Sequence, residues 1–348
     1  MRQLAWAALA LAVLLAGVPS PVQAAKEFEG VTLNVNGYGG GFDEVLKQTV
    51  ARPLKEKYGI DVVYQPGTAL QAIAKIMAAK DNPPLDVLMI DSPNFPSVIE
   101  AGIIDQVTEQ EIPAIRNLHK GTREFGNYGV PFMYAFMALS WNRDRIKNPP
   151  ASYLDLARSE YRGRLAMFNL ENNGGVLTLL AFAEASGGGV NNIAPGFAKL
   201  RELKAGLVST PAANPALVQL FQQNEAWVAP NWSGRILALQ AEGFPVELGV
   251  PKEGLYSLLS YVNVVKGTKH RAAALKYLEQ AISPEAGLGM AQKFFYPPTN
   301  ATTKLPDDLA KKVILYGDGV AKARFADWAA IARNRGAWIE QWNREMSR

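Results

Sequence analysis

The chain carries two histidines and no cysteine, which sets the first limit on its chemistry. His119 and His270 lie far apart in polar surroundings, without E-x-x-H or H-x-H spacing, so nothing in the spacing supports an imidazole metal site. The missing cysteines exclude disulfides, iron–sulfur clusters, thiolate zinc and a cysteine nucleophile together. Ser233, in Asn231-Trp232-Ser233-Gly234, lacks the leading glycine of a G-x-S-x-G elbow. No two of the 32 Asp and Glu residues are singled out as a pair for glycoside cleavage. In Gly37-Tyr38-Gly39-Gly40-Gly41-Phe42, Phe42 stands where a dinucleotide fingerprint needs its third glycine, and no Gly-Lys-Ser/Thr follows. The expectation is a protein that is not an enzyme and that needs neither metal nor cofactor.

What remains suits binding. An apolar run at 226–229 reads as a buried strand and breaks at Pro230-Asn231-Trp232-Ser233-Gly234-Arg235, where strand end meets helix start. In α/β sheets ligands sit outside strand C-termini, and this turn offers an indole face, an amide, a hydroxyl and a guanidinium. Asp91 ends another buried strand at 86–90, and Tyr38 sits in the glycine turn after a first strand. Glu171 opens a polar turn before a helix; it is either a helix-start acid favoured by the dipole or the counter-charge for an amine. Arg235 argues differently, because a guanidinium repels a dication and clamps a carboxylate or phosphonate bidentately. With Tyr134, Ser260 and Tyr261 on two further apolar runs, the candidate ligand residues are Tyr38, Asp91, Tyr134, Glu171, Trp232, Arg235, Ser260 and Tyr261.

These residues need a scaffold of strands and helices. An alternating strand at 31–36, the glycine turn, a helix at 43–58 stopped by Gly59 and a strand at 60–64 form a β-α-β opening, which predicts a parallel sheet. A helix follows at 68–79. The run 130–142 is too apolar for a loop and reads as a strand crossing to a second lobe, where 165–168, the turn at 171–175 and a helix at 176–185 start a new βα series. The segment 258–265 returns, and helical segments at 269–281, 284–293, 306–315 and 325–346 close the chain.

At 348 residues and 48% hydrophobic composition, two globular units are expected. Arg2, an apolar run at 4–17 and small residues ahead of Ala25 read as a signal peptide over 1–24, the run being shorter than the roughly 20 residues that span a bilayer. Export without disulfides points to a bacterial periplasm. The net charge of +4 is too mild, and too evenly scattered, for nucleic-acid binding; Arg333-Asn334-Arg335 reads as a solvated helix face.

Several segments in order resemble a known family: residues 33–41 with Tyr58-Gly59-Ile60-Asp61-Val62; Asp86-Val87 with Ala101-Gly102-Ile103-Ile104-Asp105; Val130-Pro131 with Trp141-Asn142; Val250-Pro251-Lys252-Glu253-Gly254 with Val264-Val265-Lys266-Gly267; and Ser283-Pro284-Glu285-Ala286 before Tyr296-Pro297-Pro298-Thr299-Asn300. Over nearly the whole mature chain this is similar to bacterial extracellular solute-binding proteins of the spermidine/putrescine-binding type, which feed ABC importers. The resemblance implies a periplasmic binding protein-like α/β fold: two lobes, a ligand cleft between them and a two-strand hinge near 136–141 and 259–262. The lobes are expected at 25–138 with 262–306 and at 139–261, with helices of 307–348 packed on both. It implies a monomer that delivers a small-molecule ligand to an inner-membrane permease. A polyamine-like amine comes first, with Glu171 about where the family carries an acid. Ser260-Tyr261 departs from the family's acid on the return strand, so a small anion or zwitterion on Arg235 stays open. So does ferric iron on Tyr38, Tyr134, Tyr261 and Tyr296, and a secreted enzyme is the competing class.

Overall fold

A computed structural model describes residues 26–79 and 82–346, so the leader expected at 1–24 lies outside the described residues. Among the described residues no helix is long and apolar enough to cross a membrane. Strands β1 (Thr32–Gly37), β2 (Asp61–Pro66), β3 (Val87–Asp91), β4 (Val130–Asn142), β5 (Leu165–Ala166), β6 (Leu207–Ser209), β7 (Val228–Trp232), β8 (Val246–Gly249), β9 (Leu255–Val264) and β10 (Ala323–Phe325) join in one sheet. Its order is β2-β1-β3-β9-β4-β7-β5-β6, with β10 beside β9 and β8 beside β4. As the β-α-β opening predicts, β1 pairs with β2 in parallel, and β5 pairs in parallel with β6 and β7.

The two parallel ends meet at an antiparallel centre. The first half of β4, Val130 to Met137, lies against β9, and its second half, Met137 to Trp141, lies against β7. One strand of 13 residues therefore belongs to two lobes, which explains a run apolar on both faces. The helices of each lobe bury separate cores. The first gathers Leu33, Val50, Val87, Val262 and Tyr277, and the second gathers Leu139, Phe168, Phe182, Phe197 and Val228. The closing helix Trp328–Met346 contributes Trp328, Ile331, Trp338 and Trp342 to the second core.

Side chains replace missing ladder bonds where β3 joins β1, since only Val35 and Val87 pair through the backbone there. Buried Asn36 donates to Met89 O (2.9 Å) and accepts from Met89 N–H (2.6 Å), while Asp86 accepts from Asn34 N–H (2.8 Å). These bonds fix the strand whose last residue is Asp91. The helix expected at 43–58 starts earlier, at Gly40, and contains a π turn at Lys47–Ala51. The cause is Pro53, which has no N–H for the Thr49 carbonyl; the side chain of Gln280 donates to it instead, at 2.9 Å. The helix expected at 306–315 is a single turn, Asp307–Ala310, after which Leu315 and Gly317 take positive φ (55° and 65°).

Candidate functional site

Strand register decides which side chains meet. Asp91 pairs with Ser260, Ser260 with Met133, and Leu258 with Ala135, so these five share one face of the sheet. That face is the floor of a cavity of about 600 Å³ between the two lobes, a size suited to a small ligand. Tyr38 and Phe42 flank it from the glycine turn, while Trp232, Arg235 and Glu171 face them from the second lobe. Six of the eight candidate residues thus line one cavity. Tyr134 and Tyr261 occupy the alternate positions and are fully buried on the other face, with Phe95, Phe136 and Leu259. This placement corrects the expectation that they face the ligand: a strand turns adjacent residues to opposite sides, so Ser260 and Tyr261 cannot both reach it. The four tyrosines considered for iron are split likewise, with only Tyr38 and Tyr296 at the cavity. Among the described residues no cluster of three His, Asp or Glu could hold a metal ion.

On the floor, the Asp91 carboxylate accepts from Ser260 Oγ (2.5 Å) and Tyr38 Oη (3.3 Å), both at Oδ1. Its Oδ2 has no protein hydrogen-bond partner among the described residues. Burial raises the pKa of Asp91, and the two hydroxyls oppose that shift. Tyr38 is pushed well above its ordinary value, first by burial and then by the Asp91 charge. The glycine turn is held by Asp43, whose carboxylate accepts from Gly39 N–H (3.0 Å) and packs so closely on Gly37 that a Cβ there would lie 2.3 Å from it.

On the second lobe, Trp232 stands at the end of β7, just before the helix Ser233–Ala241, and is 7% exposed, so most of the indole packs in the core and one edge reaches the cavity. Asn231, the amide in the same turn, is wholly buried and is not part of the lining. Arg235, in the first turn of that helix, is exposed and makes no ion pair or side-chain hydrogen bond among the described residues. It stands beside Tyr296, on which Arg235 and Asp91 act with opposite sign: burial raises this phenol's pKa, Arg235 lowers it and Asp91 raises it. Gly234 permits the approach, since a Cβ there would lie 2.5 Å from the Tyr296 ring.

The Glu171 turn is built by two amides and an arginine. Asn172 caps the helix Asn173–Ala185, accepting from Gly174 N–H (2.8 Å), and donates to Ala212 O (2.8 Å). Arg335 donates to Glu171 O (2.8 Å), Leu170 O (3.2 Å) and Asn173 Oδ1 (2.8 Å). The reading of Arg333-Asn334-Arg335 as a solvated face therefore holds for exposed Arg333 and not for Arg335, whose pKa burial lowers. Nothing local announces that contact, because the partners are more than 160 residues apart in sequence. Tyr296 and Phe294 also escaped the list of candidate ligand residues; their signal was an aromatic run just before Pro297.

Comparison with known proteins gives this geometry a setting. The profile of the family described as bacterial extracellular solute-binding protein matches residues 49–316. The chain is 21% identical to the spermidine/putrescine-binding periplasmic protein of Salmonella typhimurium, over 89% of this chain and 90% of that one. It is 24% identical to a gamma-aminobutyric acid-binding protein of Pseudomonas aeruginosa, with 80% of each covered. The solved structure of an ABC transporter protein from Clostridium perfringens superposes with a TM-score of 0.80, covering 90% of this chain and 99% of that one at 23% identity. The fold is that of the two-lobed periplasmic binding proteins.

Proposed function

Because this chain belongs to the bacterial extracellular solute-binding proteins, we propose that it is exported, traps one small amine-bearing solute between its lobes and delivers it to the permease of an ABC importer. Export would be directed by the leader at 1–24. The observation carrying the ligand reading is Asp91: a carboxylate at the cavity floor with one oxygen held by two hydroxyls and the other without a protein hydrogen-bond partner among the described residues. A protonated amine brings the donors and the charge that this oxygen lacks, and Tyr38 and Trp232 line the cavity beside it. Spermidine, putrescine and gamma-aminobutyric acid, named for the relatives, each carry a primary amine. Glu171, exposed at the lip, is the second acid a polyamine would use.

Transport needs no bond to be made or broken here. Contacts from both walls favour the closed arrangement, and a permease that recognises that arrangement receives a loaded protein. The strands that would flex are β4 and β9, with the lobes moving as 25–138 plus 262–306 against 139–261 and the protein acting as a monomer.

The test is thermal unfolding of the mature protein against putrescine, spermidine, amino acids, carboxylates, phosphonates and ferric citrate. A cognate solute at a thousandfold excess over its Kd adds about 4 kcal/mol of stability, visible as a melting shift. Stabilisation by amine-bearing solutes, with no turnover of them, supports the reading. Stabilisation by ferric citrate, carboxylates or phosphonates alone, or silence from every amine-bearing solute, sinks the amine assignment.

A further inference from the structure

The lip of the cavity on the second lobe has little of its own to hold its shape. Its sequence, Glu171-Asn172-Asn173-Gly174-Gly175, offers no apolar side chain to pack, and ordering two successive glycines costs more backbone entropy than ordering other residues. The turn is nevertheless folded tightly: a Cβ on Gly175 would lie 2.0 Å from Asn169 O, and one on Gly174 would lie 2.4 Å from the Met137 side chain. Asn172 carries this order to the neighbouring loop by donating to Ala212 O (2.8 Å) and Asn214 Oδ1 (3.0 Å), and Asn169 N–H donates to Pro211 O at 3.2 Å. Glu171, Asn172, Asn173, Ala212 and Asn214 all line the cavity. Arg335 does not line it, yet among the described residues its guanidinium is the one charged group bonded to this knot.

Arg158, Arg271 and Arg324 each pair with a carboxylate, whereas Arg335 is half-buried with no carboxylate in ion-pair range among the described residues. Burial lowers its pKa, the mark of a cation taken out of water. Such a charge costs stability that a neutral side chain would not. What it supplies is a planar fork that donates to Leu170 O, Glu171 O and Asn173 Oδ1 together, a geometry that lysine does not reproduce. The fork stands on a fixed post. The closing helix Trp328–Met346 is sunk in the second core through Trp328, Ile331 and Trp338, and at its far end Glu345 accepts from Arg201 (2.8 Å) and, through its carbonyl, from Lys204 (2.7 Å). The same helix packs against the Ser92–Asn94 turn and the helix Phe95–Ala101, the chain that follows Asp91. One element thus bears on the acid at the floor and on the acid at the lip.

Resting on the amine-capture reading, we infer that Arg335 is a positioning residue of the solute site: from outside the cavity it fixes the second-lobe lip so that Glu171 stands at a set spacing from Asp91, and it thereby decides how well a solute with two ammonium groups is held. It touches no solute itself. Its effect runs through Glu171, whose charge remains when Arg335 is lost but whose place is no longer fixed, so the cost falls on the second ammonium.

Calorimetric titration with 1,3-diaminopropane, putrescine, cadaverine and spermidine tests this in the mature wild type, Arg335→Gln, Glu171→Gln and the double variant. Arg335→Gln should weaken the tightest of these amines about 10-fold, the scale of one hydrogen bond to a charged group. In the Glu171→Gln background the same change should cost less than about 2-fold, because the group it positions is gone. Arg335→Lys, which keeps the charge and loses the fork, should recover part of the affinity. Hydrogen exchange gives a readout that needs no ligand: in Arg335→Gln the amides of 169–176 and 211–214 should exchange about 10-fold faster, with the strands of both lobes unchanged. Equal losses in the two backgrounds overturn the inference and leave the amine reading standing, as does wild-type exchange of the lip in Arg335→Gln. Faster exchange throughout the second lobe shows a role in folding alone and overturns it too. A wild type that binds none of the four amines brings down the amine reading and, with it, the role of Arg335 toward a second ammonium.

Discussion

The two faces of the central ribbon of β4 and β9 are made from neighbouring residues and do opposite jobs. On the cleft face, Asp91 and Ser260 leave hydrogen-bonding capacity open to the cavity. On the rear face, Tyr261 Oη lies 2.8 Å from Thr122 O and 2.9 Å from the Glu124 carboxylate, and Ser92 Oγ donates to Glu124 at 2.7 Å while accepting from Leu259 N–H at 3.1 Å. Phe125, next to Glu124, stacks on Phe95 with ring centroids 4.2 Å apart. The Tyr261, Glu124 and Ser92 groups on the rear face find their partners inside the protein, and Asp91 on the cleft face is held half-satisfied. A group whose partners are all internal stabilises the fold, and one that waits for a ligand costs stability until the ligand arrives.

Asp91→Asn gives the largest effect that separates the faces. Removing the charge should cost about 3 kcal/mol of binding to an amine-bearing solute, read by titration, the usual scale for stripping one partner from a desolvated pair. The unliganded variant should melt no lower than the wild type. The sign follows from the raised pKa: a carboxyl protonated more readily when folded stabilises at low pH, and that contribution is lost as pH rises through its folded pKa. An amide escapes that loss. If Asp91→Asn instead unfolds the protein while the remaining folded fraction binds normally, Asp91 belongs with the rear face.

Glu124 tests the rear face through pH. Burial raises its pKa from the ordinary glutamate value of 4.5 to about 7, against the opposing hydrogen bonds from Ser92 and Tyr261. Stability should therefore be greatest below about pH 4.5 as far as this group decides, and should fall between there and pH 7 by on the order of 2 kcal/mol, at 1.36 kcal/mol per unit and discounted for partial exposure. In Glu124→Gln that slope should flatten in urea titrations, with ligand affinity unchanged; an unaltered slope refutes the assignment. Tyr261→Phe is smaller, about 1–2 kcal/mol of folding stability for a buried acceptor left short of a donor, again without loss of binding.

Much of this division was beyond the sequence. The β-α-β opening, the long crossing strand and Asp91 at a strand end were legible, because each is local: a period, a turn, a boundary. Tyr134 and Tyr261 were misplaced for a physical reason. Where both faces of a strand are buried, as along Val130–Asn142 and Leu255–Val264, there is no polar alternation to set the phase, and a tyrosine looks alike on either side. The contacts of Arg335 with the Glu171 turn, of Tyr296 with Gly234 and of Gln280 with Thr49 are pairings at long separation, which only the folded chain brings together.

The smallest expected effect falls on the residue that most sharpens the contrast. Tyr134 lies on the rear face beside Phe136, its ring wholly buried, and its hydroxyl has no hydrogen-bond partner among the described residues. An unpaired buried hydroxyl carries a desolvation cost with nothing returned, so Tyr134→Phe should leave folding stability unchanged or raise it by about 0.5–1 kcal/mol. Binding should not move, since the ring faces away from the cavity. A loss of affinity in Tyr134→Phe with an unchanged melting temperature would mean that the hydroxyl reaches the solute after all, which requires β4 to turn its rear face into the cleft when the ligand is bound.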